Sequence, residues 1–243
     1  MPHRLNNPWG IMASFTLRGI TLNLPDAALR GTLAQALTSG RYENTEADAI
    51  TRHLAPGDRF LDLGAGAGYL CCLAARILGA EAVLGIEAGP ETAKIARGNL
   101  ARNGFAAEVR HGAVVGDGHR GETVDFGLRP AFWASALKGP EDWPQNAIVT
   151  QVPALRLAAL LAAHRPTVLS CDIEGAEGEV LAQPLPGVRL IVTEIHPGTY
   201  GLEGTKRLFD ALSTQGFAFT PHGSKGATVV FQRIGTDQPL SPQ

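Results

Sequence analysis

The feature that most constrains this chain is a glycine-rich loop that follows a short apolar run. The run covers positions 59–63, and glycine occupies positions 64, 66 and 68 before a helical pattern over 69–78. A short apolar run after a Pro-Gly-Asp turn predicts a buried β-strand. Glycines at a strand-to-helix turn admit backbone angles closed to other residues and let a ligand contact the main chain. The stretch therefore predicts a ligand site at the carboxyl end of a strand in an α/β sheet.

The spacing of the glycines separates two classes of cofactor. A dinucleotide site needs G-x-G-x-x-G, but Tyr69 stands where the third glycine is required. Asp62, two residues before Gly64, would repel a pyrophosphate and would favour a cationic ligand. The next predicted strand, 82–86, ends at Glu87, at the separation where an acid holds the hydroxyls of a ribose. The D-x-G-x-G-x-G segment resembles motif I of the S-adenosylmethionine (SAM) methyltransferases, whose cofactor carries an ammonium and a sulfonium.

The composition argues against several classes of protein. Of 243 residues, 44% are hydrophobic and 18% are charged, which is enough for a packed core and argues against wholesale disorder. The net charge is −2 and no Lys/Arg block occurs, so no nucleic-acid partner is indicated. Three cysteines without a disulfide framework fit a reducing compartment. No run reaches the ~18 apolar residues of a membrane span, and no signal peptide is visible, so we predict a cytoplasmic protein.

The order of the patterns predicts an α/β protein in three parts. Residues 1–55 contain a hairpin around Gly19 and two helices, which would form an N-terminal cap. Residues 56–234 alternate strands and helices, which predicts a mostly parallel seven-stranded sheet whose last strand is antiparallel. Residues 235–243 are rich in Pro, Ser and Gln and are expected to form a flexible tail.

An insertion follows the third predicted strand of the sheet, at 107–115. Residues 116–149 contain a candidate strand at 124–128 together with several prolines and glycines. The large aromatic residues of this segment are Phe132, Trp133 and Trp143. The insertion would either line an acceptor pocket or form a surface loop or an oligomer contact. A helix is predicted after it, over 152–163.

Acidic side chains and one histidine follow the predicted strands. Ligands of open α/β sheets bind beyond the carboxyl ends of the strands. The side chains at these ends are Asp62, Glu87, Asp172, Glu174, Glu194 and His196. Glu177 opens the next predicted helix, where an acid stabilises the helix N-terminus. The sequence therefore predicts an acid-rich rim that contains one imidazole.

Several of these motifs occur in the order found in one methyltransferase family. They are Tyr42-Glu43, Leu61-Asp62-Leu63-Gly64, Glu87, Asn99 with Asn103, the D-x-E-G-x-E segment 172–177, and Glu194-Ile195-His196. Over roughly residues 40–200 the chain resembles the FkbM-type SAM-dependent methyltransferases. It departs from the pattern where Gly64-Ala65-Gly66 replaces the Gly-Ala-Asn of many members. The resemblance implies a Rossmann-like class I methyltransferase fold, SAM as the cofactor, and O-methylation of a hydroxyl on a small molecule, sugar or natural product.

The motifs and the resemblance together predict two groups of site residues. The cofactor contacts would be Glu43, Asp62, Gly64, Ala65, Gly66, Gly68, Glu87, Ala88, Ala113 and Asp172. The catalytic residues would be His196, Asp172 and Glu174. A hydroxyl is a poor nucleophile until a base removes its proton. His196, with an ordinary pKa of about 6.5, is the favoured base, and Asp172 and Glu174 are the alternatives.

Three alternatives remain open. Asp172, Glu194 and His196 could hold a divalent cation that acidifies the acceptor hydroxyl. The chain could instead be a SAM-binding partner protein with no chemistry of its own. A nicotinamide-dependent oxidoreductase is disfavoured by the glycine spacing and by the lack of a Tyr-x-x-x-Lys pair after the fourth strand. The sequence identifies neither the acceptor nor the oligomeric state.

Overall fold

The computed structural model describes residues 11–29, 31–128, 136–137 and 148–235, which form strands and helices in alternation. The strands are β1 (Met12–Leu17), β2 (Ile20–Pro25), β3 (Phe60–Leu63), β4 (Val83–Glu87), β5 (Glu108–His111), β6 (Ala113–Val115), β7 (Thr123–Leu128), β8 (Ala136–Leu137), β9 (Ile148–Arg156), β10 (Val168–Cys171), β11 (Leu190–Glu194), β12 (Phe217–Lys225) and β13 (Thr228–Arg233). The α-helices are α1 (Gly31–Thr38), α2 (Asn44–His53), α3 (Tyr69–Leu78), α4 (Pro90–Arg102), α5 (Leu157–His164), α6 (Glu177–Val180) and α7 (Pro197–Thr214). Two 3-10 helices cover Asp26–Ala28 and Ala80–Ala82.

A seven-stranded sheet forms the centre of the protein. Its strands lie in the order β12, β13, β11, β10, β3, β4 and β5. The five strands from β11 to β5 are parallel, and β13 runs antiparallel to both β11 and β12. This arrangement confirms the predicted Rossmann-like α/β sheet with an antiparallel last strand. The order reverses between β3 and β10, so the carboxyl ends of these two strands flank the crevice where such folds bind ligands.

Alternate residues of each parallel strand face opposite sides of the sheet. Phe60 packs in a cluster with residues of α2, α3 and α4, whereas Leu61 and Leu63 pack in a second cluster with residues of α5 and α7. Helices therefore cover both faces, which gives the strands their nearly continuous apolar character. The same alternation places Asp62 on the face of Phe60, toward α3.

The N-terminal hairpin packs on this core. Leu17, Ile20 and Leu22 belong to the same buried cluster as α3. Two asparagines of α4 tie the hairpin down. The Asn99 Oδ1 atom accepts the backbone N–H of Asn23 at 2.8 Å, and the Asn99 Nδ2 group donates to the Ala67 carbonyl at 2.9 Å. Asn103 exchanges two hydrogen bonds with the backbone of Thr21 in the same way. These asparagines thus join the hairpin to α4, and Asn99 also holds the glycine-rich loop.

A second, four-stranded sheet holds part of the insertion, in the order β6, β9, β7 and β8. The predicted strand 107–115 is interrupted at Gly112, where β5 leaves the large sheet and β6 enters the small one. The predicted helix 152–163 begins only at Leu157, so its N-terminal part is wrong. Residues 152–156 instead belong to β9, because this segment pairs with β7 on one side and with β6 on the other. Pairing with strands distant in sequence overrides the local helical pattern.

Some predictions fall outside the described residues. They concern Phe132, Trp133, Trp143 and the predicted tail beyond Gly235. The domain boundaries at 55 and 234 remain predictions. Within the described ranges, no helix combines the length and the apolar character that a bilayer crossing requires.

Candidate active site

An open cleft of about 730 Å³ lies at the carboxyl ends of the parallel strands. Acidic side chains outnumber basic ones among the residues that line it. They are Glu43, Glu46, Glu87, Asp172, Glu174 and Glu194. The basic side chains in the lining are Arg41, Lys225 and His196. Because carboxylates attract cations and repel anions at short range, the floor of this cleft suits a positively charged ligand.

The glycine-rich loop forms the centre of the cleft floor. The backbone N–H groups of Gly64 and Ala65 both donate to the Ile86 carbonyl, at 3.0 and 2.9 Å. Gly64 has φ +88°, and a Cβ atom there would stand 1.8 Å from the carbonyl oxygen of Asp172. The loop therefore touches the segment after β10, which only glycine at position 64 allows. The first glycine of the predicted motif thus has a clear steric role.

Glu43 faces the loop from the other side of the cleft. A Cβ atom on Gly66 would lie 3.4 Å from Glu43 Oε1 and 3.3 Å from the Tyr42 hydroxyl. Glu43 has a left-handed backbone, with φ 45° and ψ 33°, directly before α2. Burial raises the pKa of its carboxyl well above the usual value, and the negative charges of Asp62 and Asp172 raise it further. A cationic ligand between these carboxyls would relieve their repulsion.

Seven of the ten predicted cofactor contacts line the cleft. They are Glu43, Gly64, Gly66, Glu87, Ala88, Ala113 and Asp172. Asp62, Ala65 and Gly68 do not line it. Ala65 is buried, and Gly68 packs closely against Ala96 of α4.

Asp62 lies beneath the cleft because the strand alternation turns its side chain toward α3. It is 2% exposed, and its Oδ2 atom accepts a hydrogen bond from the Cys71 thiol at 3.2 Å. Burial raises the pKa of this carboxyl to about 6. The expectation that Asp62 points into the glycine-rich loop and contacts the ligand is therefore not supported by the structure.

Glu87 is held at the edge of the loop by two backbone groups. Its Oε2 atom accepts the N–H of Gly66 at 2.9 Å, and its Oε1 atom accepts the N–H of Gly89 at 2.7 Å. Burial raises the pKa of this carboxyl to about 7, although these two hydrogen bonds act in the opposite direction. Each carboxylate oxygen keeps a second lone pair. Glu87 can therefore still accept hydrogen bonds from a ligand in the cleft.

The structure brings the three predicted catalytic residues together. The His196 Nε2 atom lies 3.5 Å from Asp172 Oδ1 and 3.7 Å from Glu174 Oε2. His196 comes immediately before α7, whereas the two acids lie in the turn between β10 and α6. The adjacency of β10 and β11 in the sheet accounts for this meeting.

Glu177 is the fourth member of this cluster, and the sequence pattern indicated only a helix-terminal acid there. Its Oε1 atom lies 3.2 Å from His196 Nδ1, in a contact that lacks hydrogen-bond geometry and is therefore electrostatic. The side chain is fully buried and accepts the N–H groups of Ile173 and Gly175. Glu177 thus shapes the turn that carries Asp172 and Glu174. The sequence signal for Glu177 was its place as the second glutamate of the D-x-E-G-x-E pattern.

The surrounding acids change the protonation of this cluster. Burial would lower the pKa of His196, but the adjacent Glu177 and the charges of Asp172 and Glu174 outweigh it and raise the pKa to about 9. The expected pKa near 6.5 is therefore wrong. The pKa of Asp172 is raised well above its usual range, first by burial and then by the charges of Glu174 and Glu194. The side chain of Asp172 is 35% exposed overall, but its Oδ1 atom is buried without a hydrogen-bond partner among the described residues.

The predicted metal ligands need one correction. In the part of the chain that the structure describes, the ligand atoms of Asp172, Glu177 and His196 lie within 4.8 Å of one another. Glu194 lines the cleft but is not in this group. Two carboxylates and an imidazole, with one unpartnered Asp172 oxygen, are donors that fit a divalent cation.

Comparisons with known proteins include a family match that covers the glycine-rich loop and Glu87. The family model of protein-L-isoaspartate(D-aspartate) O-methyltransferase matches residues 34–125. A ribosomal protein L11 methyltransferase from Desulfosudis oleivorans is 47% identical over 60 residues, which cover 25% of this chain and 20% of that protein. A protein-L-isoaspartate O-methyltransferase from Aeropyrum pernix is 42% identical over 67 residues, covering 27% of this chain and 25% of that protein. The chain therefore spans only a fifth to a quarter of the length of these relatives.

The likeness to solved structures is more distant. M. jannaschii TYW2 in complex with AdoMet is 14% identical and superposes with a TM-score of 0.48 over 92% of this chain and 87% of that one. The fold assignment rests on the strand order, in which a parallel five-stranded sheet is closed by an antiparallel hairpin strand. This strand order is that of the Rossmann-like fold of the class I methyltransferases.

Proposed function

We propose that this chain is a class I SAM-dependent methyltransferase and that it transfers the methyl group of SAM to a hydroxyl oxygen. The observation that carries the proposal is the cleft itself. Its acid-rich floor joins the glycine-rich loop and Glu87 on one side to the Asp172–His196 cluster on the other. One side has the chemistry of a cationic nucleoside site, and the other has groups that can take a proton.

SAM fits the charges and the contacts of the first side. Its ammonium and sulfonium would meet the carboxyls of Glu43 and Asp172, whose pKa values are raised first by burial and then by neighbouring carboxylates. Its ribose would meet Glu87, which is held beside Gly66. Gly64 and Gly66 leave room for the ligand against the main chain. No step of this binding requires Asp62.

The second side supplies the proton acceptor. The sulfonium already activates the methyl group, so the protein has to align an oxygen behind it and remove the proton. At neutral pH His196 is positively charged, which leaves a carboxylate as the base. We assign this role to Asp172, because its raised pKa makes it a stronger base than an ordinary aspartate. His196 balances the negative charges around Asp172. Glu177, which lies beside the His196 imidazole, fixes the position of His196.

The acceptor is proposed from this cluster and from the FkbM-like motifs, not from the relatives. Two relatives carry names that refer to a ribosomal protein or to isoaspartate. The family match ends at residue 125, before Asp172, Glu174 and His196. The D-x-E-G-x-E segment and His196 favour a hydroxyl on a small molecule, sugar or natural product as the acceptor.

Cofactor binding is the first test of the proposal. Calorimetry should show that SAM and S-adenosylhomocysteine bind, and that NAD, ATP and FAD do not compete. The reason is the charge of the cleft floor, which favours the sulfonium and repels phosphates. Tight binding of NAD without binding of SAM would contradict the methyltransferase proposal.

The affinity for SAM is expected to depend on pH through Glu87. The ionised carboxyl is the form that accepts both ribose hydroxyls, and its pKa is raised to about 7. The affinity should therefore be constant above about pH 8 and should fall by up to about tenfold per pH unit below about pH 7, where binding releases a proton. Calorimetry between about pH 5.5 and 8.5 measures this.

The variant Glu87→Gln provides the control for this profile. It keeps an oxygen that can accept one backbone N–H but cannot change its charge. We expect weaker binding with a flatter pH profile, and the difference between the two profiles isolates Glu87 from the other acids. Identical pH profiles for the two proteins would show that the ribose is held elsewhere.

Two alternatives have their own discriminating observations. A divalent cation held by Asp172, Glu177 and His196 would supply Lewis-acid activation of the hydroxyl. In that case the three residues would bind and orient the cation, and methyl transfer would not survive exhaustive chelation. A SAM-binding partner protein without chemistry would bind SAM but would form no S-adenosylhomocysteine with any acceptor.

A further inference from the structure

Two exposed cationic side chains of the cleft lining, Arg41 and Lys225, have no function in the cofactor site described above, and we call the part of the lining that they form the mouth of the cleft. Arg41 and Lys225 are the Lys/Arg residues in the described lining, and both are exposed. Among the described residues, neither forms an ion pair within 4.0 Å with a carboxylate. The Arg41 Nε group donates to the Ser39 hydroxyl at 3.0 Å, which leaves the two terminal nitrogens of the guanidinium available. Both cations can therefore bind an external anion.

Lys225 lies on the acceptor side of the cleft. It is the last residue of β12 and pairs across the hairpin turn with Thr228. Thr228 pairs in turn with Glu194, at the carboxyl end of β11, two residues before His196. The Ile195 N–H also donates to the Ala227 carbonyl of the turn at 3.0 Å. This register sets Lys225 beyond β11, whereas the glycine-rich loop follows β3, two strands away.

Arg41 belongs to the N-terminal wall of the same cleft. Its backbone N–H donates to the Ala36 carbonyl at 2.7 Å, so the chain folds back on the end of α1. Thr32, Leu33 and Ala36 of α1 also line the cleft and offer small and apolar contacts. A hydrogen bond from the Thr228 hydroxyl to Glu46 of α2 joins this wall to the β12–β13 hairpin. The two cations therefore belong to walls that are fixed to each other.

The distribution of charge in the cleft restricts where an anionic group can lie. The acidic side chains of the lining would repel a carboxylate or a phosphate, whereas the exposed Arg41 and Lys225 form no ion pair with a carboxylate among the described residues. An acceptor that spans the distance from the mouth to the Asp172–His196 cluster would meet both environments. Its neutral hydroxyl suits the floor, and an anionic group on the same molecule suits the mouth.

We infer that the acceptor carries an anionic group, a carboxylate or a phosphate, that is bound by Arg41 and Lys225 while its hydroxyl lies at Asp172 and His196. The inference rests on the proposed function, since it names the acceptor class of the same site. The α1 wall would contact the carbon skeleton between the two groups. Arg41 and Lys225 would then determine acceptor specificity without contacting SAM.

Matched pairs of hydroxyl compounds test this inference. The pairs are 4-hydroxybenzoate with its methyl ester, glucuronate with glucose, and glucose 6-phosphate with glucose. Binding is measured by calorimetry on the protein saturated with S-adenosylhomocysteine, and methyl transfer from SAM is measured by mass. In at least one pair we expect the anionic member to bind about tenfold more tightly or more, as a charged hydrogen bond allows. The carboxylate and phosphate pairs distinguish the two sources of the anion.

The double variant Arg41→Gln with Lys225→Gln should reduce this preference to near equality and leave the SAM dissociation constant unchanged. Arg52→Gln, which removes an exposed arginine outside the cleft lining, is the matched control and should keep the preference. If SAM binds but no anionic member is preferred over its neutral partner, the inference is wrong and the proposed function stands. A preference for the anionic member that survives in the double variant also overturns the inference. Failure to bind SAM at all would instead refute the proposed function.

Discussion

Gly64→Ala is expected to destabilise the protein by about 3 kcal/mol or more and to abolish SAM binding. A non-glycine residue at φ +88° costs about 1–3 kcal/mol by itself. The added Cβ atom would also stand 1.8 Å from the Asp172 carbonyl oxygen, which is backbone and cannot rotate away. The turn after β10 would have to move, and with it the carboxyl of Asp172. Urea unfolding and SAM calorimetry measure the two effects.

Gly98→Ala is the matched control for this substitution. Gly98 lies within α4, and a Cβ atom there would meet nothing within 4 Å. Alanine is favoured over glycine inside a helix, so this variant should be as stable as the parent or more stable by up to about 1 kcal/mol. An unchanged unfolding midpoint for Gly64→Ala would mean that the loop and the β10 turn are not in the contact described here.

Much of the fold could be predicted because local patterns and global structure agree in the core. The apolar run before Gly64 becomes β3, and the acid at the end of the next strand, Glu87, reaches the cleft. The carboxyl ends of parallel strands meet at one edge of a sheet, so acids far apart in sequence could be assigned to one site. Asp172, Glu174 and His196 do lie together there.

The errors arose where contacts distant in sequence decide the outcome. Residues 152–156 look helical in isolation but pair with β6 and β7. Asp62 stands before the glycines, but the alternation of β3 turns it toward Cys71. The D-x-E-G-x-E pattern singles out Glu177, but it does not give the distance of Glu177 from His196 or show that three carboxylates raise the pKa of the imidazole to about 9. Such properties depend on the three-dimensional distribution of charge rather than on residue type.

The second large expected effect is a loss of methyl transfer, and it follows from the protonation of the Asp172–His196 pair. Asp172 is surrounded by Glu174, Glu177 and Glu194, whose charges favour its neutral form. The adjacent imidazolium of His196 opposes them and keeps the carboxyl available as a base. Loss of the imidazole would therefore disable Asp172 although Asp172 itself is unchanged. The two residues should act as one unit in catalysis rather than as independent contributors.

His196→Ala is expected to lower methyl transfer by about 10²-fold or more while the SAM dissociation constant stays within about threefold. Asp172→Asn should lower the rate of methyl transfer and also raise the SAM dissociation constant, because it removes the base and a negative charge beside the cationic cofactor. The double variant should be little worse than Asp172→Asn alone, since His196 acts through Asp172. Single-turnover rates with saturating SAM, measured with and without a chelator, give the transfer step directly and separate it from any requirement for a cation.

His119→Ala, at a half-buried histidine outside the cleft lining, is the matched control and should retain the parent rate. Thermal unfolding of each variant distinguishes a loss of chemistry from a loss of structure. Full activity of His196→Ala would assign the base to a carboxyl that needs no imidazolium beside it, and Glu174 would then be the next residue to replace. If the activation free-energy losses of the two single variants add up in the double variant, the coupling is contradicted. Independent groups in separate steps multiply their effects on the rate, whereas two members of one proton-accepting pair do not.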